Sequence, residues 1–400
     1  MGNAPEPTWR TLDLFAPTDE HRLLAGTLQA FVSQEVEPQA SEFNRAERFN
    51  LALFRRAGEL GLLGLTVPEA DGGAGLDAIA AVIVHEALSA ADPGFCLAYL
   101  AHAVLFVNNF ARNANATQRA RVLPKAISGE WIGGMCMTEP EAGTDVLGMR
   151  STAVRDGDHY VLNGRKMFIT NGAIDDTTLG DVFLVYAKTD GRISSFLVEK
   201  GFPGFGLGQR LHDKLGVRAS MTAELLFDNC LVPADNLIGR EGDSTKHMMR
   251  NLEIERLTLA AMSLGIAQRC LEVMVGYANG RKAFGVAIRE HGQIQRHIAE
   301  SYSEFKAARC YVYDVARRLD LSSYGNRVDA DAAKLFAARI AKEIADRAIQ
   351  VLGGYGYMGE YVVERLWRDA KLLEIGGGTI EAHQKNITKD LARAPELIRR

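Results

Sequence analysis

The sequence lacks any close pair of cysteines: its five (Cys96, Cys136, Cys230, Cys270 and Cys310) are scattered over 400 residues. That spacing excludes the Cys-x-x-Cys redox and zinc motifs and suits free thiols in a reducing compartment. Charge of one sign is lacking too. Lys and Arg number 46 against 50 Asp and Glu, a net charge of -4, which leaves no basic footprint for nucleic acid. No apolar run approaches the roughly 20 residues that span a bilayer, so membrane insertion is not expected. Met1 to Glu20 mixes Pro, Asp and Glu without an apolar stretch. It reads as neither a signal peptide nor a typical mitochondrial presequence, and the expected location is cytoplasmic. There is no G-x-S-x-G elbow and no P-loop lysine motif, so hydrolase and NTPase readings lose their usual anchors. His85-Glu86 begins an H-E-x-x-H pattern, but Ser89 stands at the second histidine position, so no metal site is expected.

What is present changes texture twice along the chain. From Thr18 to about Trp131 apolar residues recur at three and four, as in HRLLAGTLQAFVSQEV and LDAIAAVIVHEALSA. That is helical periodicity. From Gly133 to about Asp235 short β-branched runs alternate with the tight-turn dipeptides Asp156-Gly157, Asn163-Gly164, Asn171-Gly172 and Asp190-Gly191. VFLVYAK and SSFLVEK flank the last of these as a hairpin would, and AELLF is a further strand candidate. From Ser244 the pattern is helical again, in long Ala-rich stretches. The expected division is an N-terminal all-α domain over 1–132, a middle β domain over 133–243 and a C-terminal α-helical domain over 244–400.

A literal G-x-G-x-x-G occurs at Gly354, Gly356 and Gly359. The dinucleotide fingerprint needs a strand before it, whereas a long helix precedes these glycines, so they are read as the end of that helix and a turn. The stretch around residue 255 is more informative. Positions 248, 252, 255, 259, 262 and 266 read Met, Leu, Glu, Leu, Met, Ile, placing Glu255 in the middle of an apolar helical face, with Glu253 and Arg256 pointing elsewhere. Burial raises the pKa of a carboxylate, and such groups at pockets are candidate general bases. The alternative is that Glu255 ends the buried stretch and pairs with a nearby arginine.

Four segments together resemble the acyl-CoA dehydrogenase family: MCMTEPEAGTDV, KMFITNG, RKAFG with IQVLGGYGY, and RDAKLLEIGGGT. Their order and spacing match it from about Thr18 to Leu391, and the family's architecture is the helical–β–helical order above, an α+β fold with a β-barrel-like middle and a helical bundle at the end. The resemblance implies FAD as cofactor. It implies that Met135 and Met137 offer backbone groups and Thr138 its hydroxyl to the flavin. Thr144, where the family usually has serine, would lie between the flavin phosphate and the pantetheine arm. Phe168, in place of a tryptophan, would cover one face of the flavin ring with Ile169 and Thr170. It further implies that Arg281, Gln293 (with a one-residue shift of its segment), Gln350, Gly353 and Gly354 reach the FAD of a neighbouring subunit in a homotetramer. Thr379 and Glu381 would complete the cofactor set, while Arg256, Gly376, Gly377 and Gly378 would meet the acyl-CoA substrate.

Many members carry the base in a Tyr-Glu-Gly-Thr segment near the C-terminus; this chain has Gly376-Gly377-Gly378-Thr379 instead. The isovaleryl-type and long-chain-type members place it on a central helix in a Leu-x-x-Glu-Arg-Leu context. Leu252 to Leu257 matches that context, which assigns the base to Glu255. The expected reaction is α,β-dehydrogenation of a thioester. Glu255 would take the α-proton, the Gly377 N–H and a ribityl hydroxyl would polarise the carbonyl, and a hydride would pass to flavin N5. Gly376, where straight-chain members often have tyrosine, points to a short branched acyl-CoA such as isovaleryl-CoA. An electron-transferring flavoprotein is the implied acceptor. Alternatives are an acyl-CoA oxidase, a dehydrogenase of carrier-protein thioesters, or a catalytically silent flavin-binding assembly protein. Glutaryl-CoA decarboxylation is disfavoured, because its base would fall at Gly377.

Overall fold

Side chains of Thr18, Asn50, Asp77, Asp92 and Asn115 each accept a hydrogen bond from a backbone N–H of the turn that follows, and each starts a helix. The computed structural model describes residues 13–323, 325 and 327–399, so residues 1–12, most of the segment read for a targeting signal, lie outside the described residues. The first region is helical: Asp19–Phe31 runs on through a wide-turn stretch over Val32–Val36 into Glu37–Ala46, and Leu51–Glu59, Ala78–Ala91 and Ala116–Ile127 are separate helices. A continuous helix, Pro93–Asn113, includes a wide-turn stretch over Ala101–Asn108. All five cysteines are free, four of them buried.

Eight strands then form one sheet. They are β1 (Gly133–Cys136), β2 (Thr152–Asp156), β3 (His159–Thr170), β4 (Val182–Thr189), β5 (Arg192–Glu199), β6 (Phe205–Arg210), β7 (Thr222–Pro233) and β8 (Leu237–Ile238). The order is β6-β7-β3-β2-β4-β5-β8, with β1 parallel to β4. The predicted hairpin is β4–β5: Thr189 faces Arg192 across Asp190-Gly191, both at positive φ as a two-residue turn requires. Asn163-Gly164 is not a turn, contrary to the expectation. It lies inside β3, where the register against β7 shifts between Leu162 and Gly164. Gly164 has φ +149, and a Cβ there would come within 2.2 Å of Ser151 Oγ, so this glycine makes a bulge where β2 approaches rather than a reversal.

The long helices of the third region are Ser244–Gly280 (the central helix), Gly292–Arg318, Arg327–Leu352, Val362–Leu373 and Ile380–Arg393, with a short antiparallel pair, Lys282–Ala283 and Val286–Ala287, after the first. The helix ends just before the G-x-G-x-x-G glycines, as expected: Gly353, at φ +61, follows Leu352, and Gly354 and Gly356 lie in the 3-10 turn Gly353–Tyr357. The central helix packs on Ala78–Ala91 and on Arg327–Leu352, so the first and third regions share one apolar core running from Leu28 to Leu373. That packing explains a discrepancy with the sequence reading. Pro93–Asn113 and the central helix are long and apolar enough to cross a bilayer, but 89% and 67% of their most apolar stretches are buried inside the protein.

Candidate active site

The central helix is buried almost all round between Asn251 and Ala267. Met248, Leu252, Leu259, Met262 and Ile266 are core residues, and Glu255, in the middle of their stripe, is only 8% exposed. Glu253 and Arg256, expected to point elsewhere, are buried too. Glu255 Oε2 has no hydrogen-bond partner among the described residues. The arginine-paired alternative therefore fails at the nearest candidate, because Arg256 turns to Asp331 on helix Arg327–Leu352, Nη1 to Oδ1 at 2.9 Å. A buried guanidinium needs a counter-ion, and this one has found it. Arg256, expected at the substrate, is thus occupied within the protein. Burial pushes the Glu255 carboxyl up to about 7, against the opposing pull of the Arg256 and Lys334 charges.

Opposite Glu255 lies the turn between helices Val362–Leu373 and Ile380–Arg393. The Gly376 N–H donates to Leu372 O at 2.8 Å, and Thr379 caps the next helix by accepting from the Ala382 N–H. Gly377 and Gly378 have φ +65 and +111, a conformation that side chains with a Cβ rarely adopt. A Cβ on Gly377 would stand 3.4 Å from Glu255 Oε1 and 2.2 Å from Leu259 Cδ1. Helix carboxylate and glycine turn therefore face each other across one small space. The turn is held from behind: the Gly378 carbonyl accepts from Lys334 Nζ at 2.6 Å and lies 3.0 Å from His383 Nε2. His383 Nδ1 in turn meets Asp331 Oδ1 at 2.7 Å. Asp331, Lys334 and His383 were missed by the sequence reading. A signal existed, since Asp331 and Lys334 fall among Ala330, Ala333, Ala337 and Ala338, the buried positions of an Ala-rich helix.

A second cluster gathers around the Thr138-Glu139-Pro140 turn. Met135 is buried in β1, and its sulfur meets the amides of Asn109 and of Asn251, one helical turn before Glu255. Met137 O accepts from Lys166 Nζ at 3.1 Å, and Thr138 O from the Met167 N–H at 2.9 Å. Both of those carbonyls are thus engaged within the protein, leaving N–H groups and the Thr138 hydroxyl for a cofactor. Thr144 is exposed on the loop that follows. Phe168 is 66% exposed at φ +60, while Ile169 is buried in the sheet core and Thr170 is half-buried. Of the three, Ile169 cannot offer its side chain to a flavin ring. An aromatic ring held at strained backbone angles with nothing over it fits a flat ligand.

The third cluster is an open cavity of about 480 Å³ lined by Tyr277, Arg281, Ile288, Gly353, Gly354 and Tyr355, among others. Among the described residues Arg281 has no carboxylate partner, and its guanidinium lies over the Tyr355 ring at 5.8 Å. Gln350 is exposed beside this cavity on the last turn of its helix, and Gln293 sits on the exposed first turn of Gly292–Arg318; neither lines it. Glu381 is exposed in the first turn after the Thr379 cap. The residues present fit an extended anionic cofactor, with a guanidinium for phosphate and glycines at which an added Cβ meets nothing within 4 Å.

The described residues thus bring together a dry carboxylate facing a glycine turn and, at a neighbouring sheet edge, an exposed aromatic with backbone donors. Comparison with known proteins gives the particular family. Three family models match in succession: acyl-CoA dehydrogenase N-terminal domain over residues 18–130, middle domain over 134–230 and C-terminal domain over 245–392. The chain belongs to the acyl-CoA dehydrogenase family. It is 41% identical to the mitochondrial isovaleryl-CoA dehydrogenase of Pongo abelii over 92% of this chain and 87% of that protein. The structure of butyryl-CoA dehydrogenase from Megasphaera elsdenii superposes with a TM-score of 0.89 at 32% identity, covering 94% of this chain and 98% of the other. An acyl-CoA dehydrogenase from Bacillus anthracis, solved in complex with FAD, gives 0.87 at 31% identity, over 96% and 68%. The helical–β–helical fold and the dehydrogenase class expected from the sequence both stand.

Proposed function

We propose that this flavoprotein dehydrogenates a short, branched acyl-CoA of the isovaleryl type to the trans-2-enoyl thioester, with Glu255 as the base. The observation that carries the reading is the unpartnered Glu255 carboxylate facing Gly377, where a Cβ would stand 3.4 Å from its oxygen. A thioester placed between them has its α-carbon beside the carboxylate and its carbonyl beside the Gly377 N–H. That N–H stabilises the negative charge developing on the carbonyl oxygen, and the dry surroundings strengthen the effect. A carboxyl near 7 is matched to proton removal from a weak carbon acid better than one at the ordinary 4.5. Bound FAD supplies the hydride acceptor. Met135, Met137, Thr138, Thr144, Phe168, Ile169 and Thr170 would hold it by backbone and ring contacts, with Thr379 and Glu381 at the far side of the glycine turn. Gly376 leaves the space beside the acyl chain free of a side chain, which favours a β-branch.

The same reading divides the chain into 1–132, 133–243 and 244–400, and it makes the protein a homotetramer. The Arg281–Gly353–Gly354 cavity is on the surface, and Phe284 (97% exposed) and Tyr357 (83%) also project from this part of the chain. Gln293 and Gln350 would join it only through a neighbour's FAD. Electrons would leave to an electron-transferring flavoprotein. Anaerobic bleaching of the flavin across a panel of acyl-CoAs tests the substrate: isovaleryl-CoA should bleach fastest, and a flavin that no acyl-CoA bleaches would favour the silent assembly role. Arg281→Ala should lower FAD content, and sedimentation showing a fully flavinated monomer would contradict the shared-cofactor reading.

A further inference from the structure

The proton-abstraction site has a charged backing that the reaction as described does not use. Resting on the reading of Glu255 as base, we infer that Lys334 and His383 are positioning residues for it. Both hold the Gly378 carbonyl, and with it the Gly377 N–H, against Glu255, and Lys334 supplies the cation that keeps Glu255 ionised in a dry site. Lys334 has no exposed surface, and its ammonium donates to Gly378 O at 2.6 Å. His383 is fully buried, with both ring nitrogens facing acceptors, Asp331 Oδ1 at 2.7 Å and Gly378 O at 3.0 Å. A carbonyl oxygen has no proton to give, so the Nε2 contact is a hydrogen bond only when that nitrogen carries one. With Nε2 protonated, the Nδ1 contact needs a further proton, on the ring or on Asp331.

The charges around Glu255 single out Lys334. On its own helix, Arg256 is paired with Asp331. From helix Arg327–Leu352 come Asp331 and Lys334; from the helix before the glycine turn comes Glu374, paired with Lys371 at 2.6 Å; from the helix after it comes His383. On Ala78–Ala91, Glu86 is taken up by Arg309 and Tyr313, and His85 Nδ1 lies 2.7 Å from Ala81 O. Lys334 is therefore the nearby cation without a carboxylate in ion-pair contact among the described residues. Burial pushes it down to about 7 while the Glu255 charge holds it up, the mirror image of what happens at Glu255.

Lys334→Met removes both the donor and the charge. The acid limb of the flavin-reduction rate, measured in rapid-mixing experiments with isovaleryl-CoA, should then move up by about one pH unit or more, as expected for loss of a close opposite charge. The effect should fall on the rate at saturation rather than on substrate affinity. The infrared band of the protonated carboxyl, identified by its absence in Glu255→Gln, should titrate higher by the same amount in FAD-free protein. His383→Asn, which keeps Lys334, should slow reduction with little movement of that limb. Should Lys334→Met fail to fold, Lys334→Gln, uncharged but still a donor, carries the same test. An unshifted acid limb and an unshifted carboxyl band in the Lys334 variant overturn the inference. If Glu255→Gln is inactive in that case, the base assignment survives and only the role of Lys334 falls. If Glu255→Gln reduces its flavin at the wild-type rate, the base assignment fails and this inference with it.

Discussion

Glu139 and Glu255 are both buried glutamates next to the proposed substrate and cofactor, and they are built in opposite ways. Glu139, in the Thr138-Glu139-Pro140 turn, accepts from the Arg150 and Ser151 backbone N–H groups at 2.6 and 3.0 Å and from Lys166 Nζ at 2.8 Å. Burial raises its pKa, but the Lys166 charge and these hydrogen bonds outweigh burial and hold the carboxyl below its ordinary value. Glu255 has burial without a hydrogen-bond partner among the described residues, and its carboxyl rises. The difference separates a carboxylate that fixes structure from one that is free to accept a proton. A carboxylate held by three donors is stabilised as the anion, whereas an unsatisfied one costs stability and is ready to react.

The comparison breaks most visibly in stability. Glu139→Gln leaves the buried Lys166 ammonium without its counter-charge, and about 3–5 kcal/mol should be lost near neutral pH. Because the folded-state pKa of Glu139 is lowered, its contribution is present above the ordinary 4.5 and is lost as pH falls. The penalty of the substitution should accordingly shrink in acid. Urea unfolding at two pH values measures both the size and the trend; an unchanged midpoint at neutral pH would mean that the pair only decorates the turn.

Glu255→Gln should do the reverse. Flavin reduction by substrate should slow at least about a hundredfold, equivalent to roughly 2.7 kcal/mol, with FAD still bound. Near-wild-type reduction would move attention to Glu374. In the same variant stability should rise. The folded pKa of Glu255 is raised, from 4.5 to about 7, so its stability contribution is complete below about 4.5 and is lost as pH climbs through 7. Gln should thus be near neutral at pH 4 and stabilising by up to about 3 kcal/mol at pH 8, a ceiling because Lys334 loses its partner. A stability gain that does not grow with pH would contradict the unpartnered reading.

The smallest expected effect is also the sharpest. If helix and loop positions serve one α-carbon, Glu255→Gly combined with Gly377→Glu should recover a few per cent of the lost rate, on the order of one to two powers of ten below wild type. The 2.2 Å approach of a Gly377 Cβ to Leu259 Cδ1 means that Leu259→Ala should improve this rescue, while φ +65 keeps it incomplete. Steady-state rates with isovaleryl-CoA and butyryl-CoA should show the recovered activity favouring the straight chain. A double variant that binds FAD and substrate but stays inactive, with or without Leu259→Ala, would refute the shared geometry.

Much of this was legible in the chain itself. Periodicity marked the helical regions, Asp190-Gly191 marked the β4–β5 hairpin, and an apolar stripe interrupted at Glu255 marked a buried carboxylate, which only the family resemblance turned into a base. These are local properties, written in spacings of two, three and four residues and in turn chemistry. Asn163-Gly164 misled because the same dipeptide serves a bulge as well as a turn, and only the close approach of Ser151 distinguishes them. That Arg256 pairs with Asp331 was not legible, because Asp331 lies on another helix.

By itself, the sequence determined most of where helices and strands lie and that Glu255 would be dry, since those follow from each segment's own pattern of burial. The tertiary structure decided what surrounds that carboxylate, with Gly377 alone joined to it beforehand, through the family resemblance. Gly377, Lys334, Asp331 and His383 come from three separate stretches, and no spacing along the chain connects them to Glu255. Their meeting depends on the central helix packing against Arg327–Leu352, with the glycine turn and the helix Ile380–Arg393 gathered onto the latter. Burial is a one-dimensional signal, but the identity of the groups that share a buried space is set by how the helices pack.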